Sequence, residues 1–218
     1  MAKSKAAEEL DDLQARLRPM LKDKGFRVQS RTFNRTTSDG LTHVIHFQVG
    51  RFAPPGTIYI PWFRRNLYGK FTVNIGVYVP EVAKEQYGVL RSFAQEVECC
   101  VRERLGELGP ERSDRWWDLP VSSKDESELR ERLELDAIPF LARFESRDSV
   151  LEELGKAEAA HKVGGAPRIT RAIILAHGGN PERARELLSE QIRLATSEEH
   201  SKYVQKIATQ PNLGRVGV

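Results

Sequence analysis

The sequence predicts an α+β protein: an antiparallel sheet of four or five strands with helices on one face, followed by an all-helical C-terminal extension. Three observations predict it. Phe71-Thr72-Val73-Asn74-Ile75-Gly76-Val77-Tyr78-Val79 alternates at a period of two, with branched and aromatic residues on one side, and Pro80 closes it by withholding a ladder donor. Thr37-Ser38-Asp39-Gly40 carries the Asp-Gly hairpin signal between two further extended runs. Beyond Pro120 the period changes to that of helices, with capping residues at the expected starts.

In order along the chain, Leu10, Leu13, Leu17, Met20 and Leu21 form one stripe of a helix over Ala6–Lys24, and Gly25 supplies a left-handed stop. Phe26–Arg35 reads as one strand and Leu41–Val49 as its hairpin partner. Residues 52–66, with Ala53-Pro54-Pro55-Gly56 and Pro61-Trp62-Phe63-Arg64-Arg65, read as a long irregular loop or a broken edge strand. The Phe71–Val79 strand is central, with a covered apolar side and a wetter polar side. Pro80–Gln95 carries weak helical spacing broken by Gly88. Glu98–Leu108 fits a continued helix or a further strand, and Asp114–Leu119 a short strand ending at Pro120.

The helical part opens with two capping-box matches, Ser123 with Glu126 and Ser149 with Glu152, and Pro139 is expected to break or restart the helix between them. Ile169, Ala172, Ile173 and Ala176 form a stripe that stops at Gly178-Gly179. Asn180-Pro181 opens the next helix with Ala184, Leu187, Leu188 and Ile192, and Thr196 with Glu199 opens the last. Residues 166–208 resemble a short tetratricopeptide-like hairpin array without a fixed repeat. The expected organisation is a sheet domain over 1–162 and a helical extension over 163–218, joined at Gly164-Gly165.

The 218 residues are 39% hydrophobic and 30% charged, so a core forms only because the apolar residues recur periodically. The net charge of +3 is unevenly spread. Between Arg27 and Lys70 seven basic residues face one acid, while Asp118–Asp136 holds seven acids and three bases. The first ten residues have no apolar run of the secretory type, and no stretch is long enough to span a bilayer, so no membrane partner is expected. The only cysteines, Cys99 and Cys100, are neighbours, which suits two reduced thiols in a cytoplasmic protein.

Five strings, Lys24-Gly25-Phe26, Val44-Ile45-His46-Phe47-Gln48, Thr72-Val73-Asn74-Ile75-Gly76-Val77-Tyr78, Arg102-Glu103-Arg104-Leu105-Gly106 and Asp114-Arg115-Trp116-Trp117, resemble in order and spacing the bacterial family of unknown function DUF4304 over roughly residues 7–145. The resemblance implies a shared α+β fold and carries over no catalytic residue or cofactor.

The expected polar faces of the strands bear Arg27, Gln29, Arg31 and Arg35, then His46 and Gln48, then Thr72, Asn74 and Tyr78, then Arg102 and Arg104. From them Arg31, His46, Gln48, Asn74, Tyr78, Arg102 and Arg104 are candidate partner-binding residues, joined by Trp117 as an aromatic anchor. This set points to a protein partner with an acidic surface, in an immunity or accessory role. The alternative is a nucleic-acid-binding or nuclease-like protein using the Arg27–Lys70 segment, where Trp62-Phe63-Arg64-Arg65 would suit single strands. His43 and His46 fall on opposite strand faces, and no Cys or His group has zinc spacing, so no metal or other cofactor is expected. Gly164-Gly165 and Gly178-Gly179 lack the strand and Lys-Ser of a phosphate loop. His46 with Asp114 and an arginine could imitate an acid/base pair, but a non-catalytic binding protein is the favoured reading.

Overall fold

The computed structural model describes residues 4–50, 66–159 and 167–210. The expectations for Trp62-Phe63-Arg64-Arg65, the Pro-rich loop and the Gly164-Gly165 joint lie outside them. The fold is α+β: an antiparallel sheet in the order β1-β2-β3-β4-β5, with β6 also paired to β4, and a C-terminal all-helical stretch. The chain divides into two compact units that alternate along the sequence. One holds Met1–Arg35, His43–Gly76 and Arg102–Arg143; the other holds Thr36–Thr42, Val77–Val101 and Phe144–Val218.

In the first unit, α1 (Lys5–Asp23) starts at Ser4, whose side chain accepts from the Ala7 amide, and ends before Gly25 at φ 85°. Leu10, Leu13, Leu17 and Leu21 are fully buried, at about 1.5–3 kcal/mol of transfer energy each. The run expected as a single strand folds back on itself. β1 (Arg27–Gln29) and β2 (Thr32–Thr36) pair as a hairpin, Val28 opposite Phe33, around Ser30 at φ 52°. The turn shifts the parity and sets Phe33 on the side of Val28, and Thr32 and Asn34, on the other side of the strand, are buried as well.

Next come β3 (Thr42–Val49), β4 (Lys70–Tyr78), β5 (Val101–Arg104) and the two-residue β6 (Trp117–Asp118), which pairs Phe71 with Trp117. An aromatic ladder crosses four strands: Phe33–Phe47 at 5.8 Å, Phe47–Phe71 at 6.4 Å and Phe71–Trp117 at 5.6 Å between centroids. β4 is buried from Phe71 to Tyr78, so the expected wetter side does not exist. Its polar groups are paired internally: Thr72 Oγ1 donates to the Arg115 carbonyl at 2.9 Å, and Asn74 Nδ2 to Gln48 Oε1 at 2.8 Å.

The short helix α3 (Leu105–Leu108) follows β5, and a longer helical run begins with α4 (Ser123–Arg132). Its cap is Ser122, whose Oγ accepts from the Asp125 amide at 3.1 Å, one residue before the expected Ser123. Pro139 restarts the helix without interrupting this run, the second of the two outcomes expected of it. Leu133–Ala137 opens into a π-helical turn closed by the Ile138 amide on the Leu133 carbonyl, and α5 (Ile138–Ala142) follows directly with Pro139 as its second residue.

In the second unit, α2 (Pro80–Tyr87) stops at Gly88, φ 71°, whose amide bonds the Lys84 carbonyl at 2.8 Å. Within the ambiguous segment this is a helix with a glycine cap rather than one running on to Gln95. A single 3-10 turn at Glu96–Glu98 precedes β5. α6 (Arg147–Ala159), α7 (Pro167–His177), α8 (Pro181–Arg193) and α9 (Glu198–Ala208) complete the unit. Ser146 and Ser197 provide the caps expected at Ser149 and Thr196, and Asn180 caps α8 as expected. Ile169, Ala172, Ile173, Ala184, Leu187, Leu188, Val204 and Ile207 form the helical core. Glu158 clamps α6 to α7 through Arg168 Nε at 2.7 Å and Arg171 Nη1 at 2.5 Å.

Candidate functional site

The candidate surface of the first unit lies where the end of β5 meets the loop before β6. Gly106 makes this meeting tight: a Cβ there would stand 2.3 Å from the Ser113 carbonyl oxygen, and the Ser113 amide returns a bond to the Gly106 carbonyl at 3.1 Å. The approach brings Asp114 to Arg104, whose Nη1 donates to Asp114 Oδ1. Trp116 Nε1 donates to the same oxygen at 3.1 Å, and the Arg104 guanidinium lies 5.4 Å from the Trp116 ring centroid. Arg102 is exposed on the same strand, two residues away.

Below this surface the loop is anchored. Arg115 lies 5.6 Å from the Trp117 ring centroid and donates to Glu128 at 2.7 Å, while Arg132 Nε reaches the other Glu128 oxygen at 3.0 Å. An arginine, an indole and a carboxylate are thus held together at the surface with their backbone fixed by close packing.

The remaining predicted residues sit elsewhere. Arg31 ties the β1–β2 turn to α1 through Asp11 at 2.9 Å and the Ala7 carbonyl at 3.1 Å. His46 Nδ1 bonds Thr32 Oγ1 at 2.9 Å, and Gln48 is the acceptor for Asn74. Asn74, Tyr78 and Trp117 are buried, at 5%, 2% and 2% exposure, so none of the three presents a side chain to a partner. Trp117 is a core residue because its register opposite Phe71 points it into the aromatic ladder; Trp116, of opposite parity, is the half-exposed one. Burial raises the pKa of the Tyr78 hydroxyl, which accepts from the Arg91 amide at 3.3 Å. His46 bonds Thr32 of β2, and Asp114 accepts from Arg104 and Trp116.

Asp114 and Trp116 are the surface residues that the choice of candidates missed. The signal was the alternation Asp114, Trp116, Asp118, three members of one strand parity with two acids among them.

The second unit holds a cleft of about 450 Å³ lined by Asp39, Ser146, Arg147, Asp148, Asn180 and apolar side chains of α6 and α7. Arg147 is saturated here. Its Nε and Nη2 grip the buried Glu81 carboxylate at 2.6 and 2.8 Å, and Nη1 reaches Asp39 Oδ2 at 3.2 Å. The hydrogen bond to Glu81 raises the Arg147 pKa further. Asp39 also accepts from the Arg147 amide at 2.8 Å and so caps α6. Cys99 is buried and Cys100 half-buried, neither in a disulfide, and desolvation pushes the Cys100 thiol up to about 12. Among the described residues no group of His, Cys, Asp and Glu is placed to hold a metal ion, and no helix is long and apolar enough to cross a membrane.

Comparison with known families matches residues 17–143 to the Domain of unknown function (DUF4304). The chain belongs to the DUF4304 family. Both strings that form the Arg104–Trp116 surface lie inside the matched region. No curated protein and no solved structure matches the chain.

Proposed function

We propose that this DUF4304 protein is a non-catalytic, cytoplasmic bacterial binding protein that recognises another protein, in an immunity or accessory role. The single observation that supports it is the Arg102–Arg104–Trp116 surface. Arginine and tryptophan are the residues that most often dominate protein interfaces, and here they are held in place before any partner arrives. The guanidinium stacked on Trp116, with exposed Arg102 beside it, suits a partner presenting a planar or apolar group flanked by a carboxylate.

The test is capture by the immobilised protein, compared with the R102A/W116A double variant and with R130A as a surface control. Loss of one captured protein with the double variant, and its retention by R130A, supports the reading. Equal capture by all three overturns it. A nucleic acid is the second reading. It rests on Arg102 and Arg104 beside an indole, and it predicts binding of single-stranded oligonucleotides that falls steeply with salt.

A further inference from the structure

Two exposed patches have no role in the surface described above, and they complement one another. In the first unit, Leu135 is 65% exposed although Leu133 and Ala137 on either side are fully buried. Helical periodicity accounts for this, because Leu133 and Ala137 share the inward face and Leu135 lies on the opposite side of the helix. Glu131 and Glu134 are exposed beside it and Asp136 is half-buried, while Arg132, the nearest base, is turned inward onto Glu128. An apolar side chain therefore stands in an acidic surround.

In the second unit, Tyr87 and Leu90 are 54% and 60% exposed, and Tyr203 of α9 is 38% exposed. α2 and α9 lie side by side at this face: Gln210, just past the end of α9, donates from Nε2 to the Glu85 carbonyl of α2 at 3.1 Å, and burial together with neighbouring Tyr87 raises the Tyr203 hydroxyl pKa. Lys84 lies one turn before Tyr87 and Lys206 one turn after Tyr203, both exposed. Of the nearby acids, Glu85 is bonded to His177 and Glu98 to Arg91, and Glu199 lies a turn beyond Tyr203, away from Lys206. This face is apolar at its centre and basic at its edge.

We infer that the protein self-associates head to tail, the Leu135 patch of one copy docking on the Tyr87–Tyr203 face of another. An apolar anchor rimmed by carboxylates meets an apolar face rimmed by lysines, and both are always present at equal concentration because one chain carries them. The two surfaces differ, so the contact is heterologous. It goes beyond the proposed function and shares no residue with the Arg102–Arg104–Trp116 surface.

Sedimentation velocity on the full chain, from micromolar to submillimolar and at low and high salt, tests it. The sedimentation coefficient is expected to rise with concentration, and association to weaken about ten-fold at high salt. L135E and K84E/K206E, each checked for an unchanged circular dichroism spectrum, are each expected to stay monomeric. Mixed in equal amounts, they should form a heterodimer, because one variant keeps the acidic patch and the other the basic face. R102A/W116A should associate like the parent, which separates this inference from the proposed function. A parent protein that is monomeric throughout overturns it, even if it binds a different acidic protein. So does undiminished association of L135E, or a mixture that stays monomeric.

Discussion

Replacing Arg147 by Met removes the guanidinium that grips the Glu81 carboxylate. The Glu81 side chain is 7% exposed and held by two parallel bonds of 2.6 and 2.8 Å. Breaking a fully buried pair by removing one partner costs roughly 3–5 kcal/mol, mostly because a charge is left without compensation. Arg147 is 28% exposed and borders the cleft, so water can reach part of the vacated space, which lowers the expected cost to about 2–4 kcal/mol. The α6 cap should survive, because Asp39 accepts from the backbone amide and not only from the side chain. Removing both charges in R147M/E81L should bring the cost back to within about 1 kcal/mol of the parent, since no unpaired carboxylate remains. Urea unfolding followed by helical circular dichroism, with hydrogen exchange resolving the second unit, gives both quantities. A single variant that loses less than about 1 kcal/mol, or a double variant as unstable as the single one, would refute the reasoning.

Three further outcomes are expected. Burial draws the Glu158 carboxyl upward, but the hydrogen bonds from Arg168 and Arg171 outweigh it and set its pKa below the usual value. Its stabilising contribution is therefore present above the unfolded value of about 4.3 and lost as pH falls through the lower folded value, so E158Q should be less stable at neutral pH and converge with the parent in acid, as pH-dependent melting will show. Cys100, half-buried and with its pKa pushed up to about 12, should react with a thiol-specific disulfide reagent far more slowly than a free cysteine at pH 8, and labelling as fast as a free cysteine's would contradict the raised pKa. A fragment ending at residue 162 keeps every residue of the first unit but removes α7, against which α2 and α6 pack. Its sheet amides should remain protected from exchange while those of α2 and α6 lose protection; full protection of both helices would show that 1–162 is a self-sufficient domain.

Much of the fold was legible because it depends on local rules. The α1 leucine stripe, the Asp39-Gly40 turn, the Phe71–Val79 alternation and the Asn180 cap each follow from spacing or backbone preference alone. Residues 26–35 were misread for a physical reason. Nothing in Arg27-Val28-Gln29-Ser30-Arg31-Thr32 forbids a straight strand, and the fold-back is held by contacts distant in sequence: Arg31 on Asp11, and Phe33 on Phe47. The serine caps were displaced by one to three residues because Ser122, Ser146 and Ser197 compete with neighbouring Ser or Thr for the same role. The candidate site was harder to see. Strand parity identifies which residues share a face, but not whether a loop or a neighbouring strand covers it. Thr72 and Asn74 have the expected parity and are buried all the same.

The arginines show why charge alone was a poor guide to function here. Arg31, Arg115, Arg132, Arg147 and Arg168 each reach a carboxylate, and in four of the five pairs the acid lies on a different segment of the chain. Most of that charge therefore joins structural elements and is not available to a partner. Arg104 is different in degree. Its pair with Asp114 is 36% and 44% exposed, a setting in which an ion pair contributes only about 0–1 kcal/mol to stability. So little stabilisation does not by itself account for a guanidinium held against an indole at the surface. Lysine in place of Arg104 would keep the charge and lose the planar stack on Trp116. R104K should therefore fold like the parent and bind its partner more weakly if the stacked plane is what the partner recognises. If the site supplied only charge, R104K would bind as the parent does, so this substitution separates recognition of shape from simple attraction.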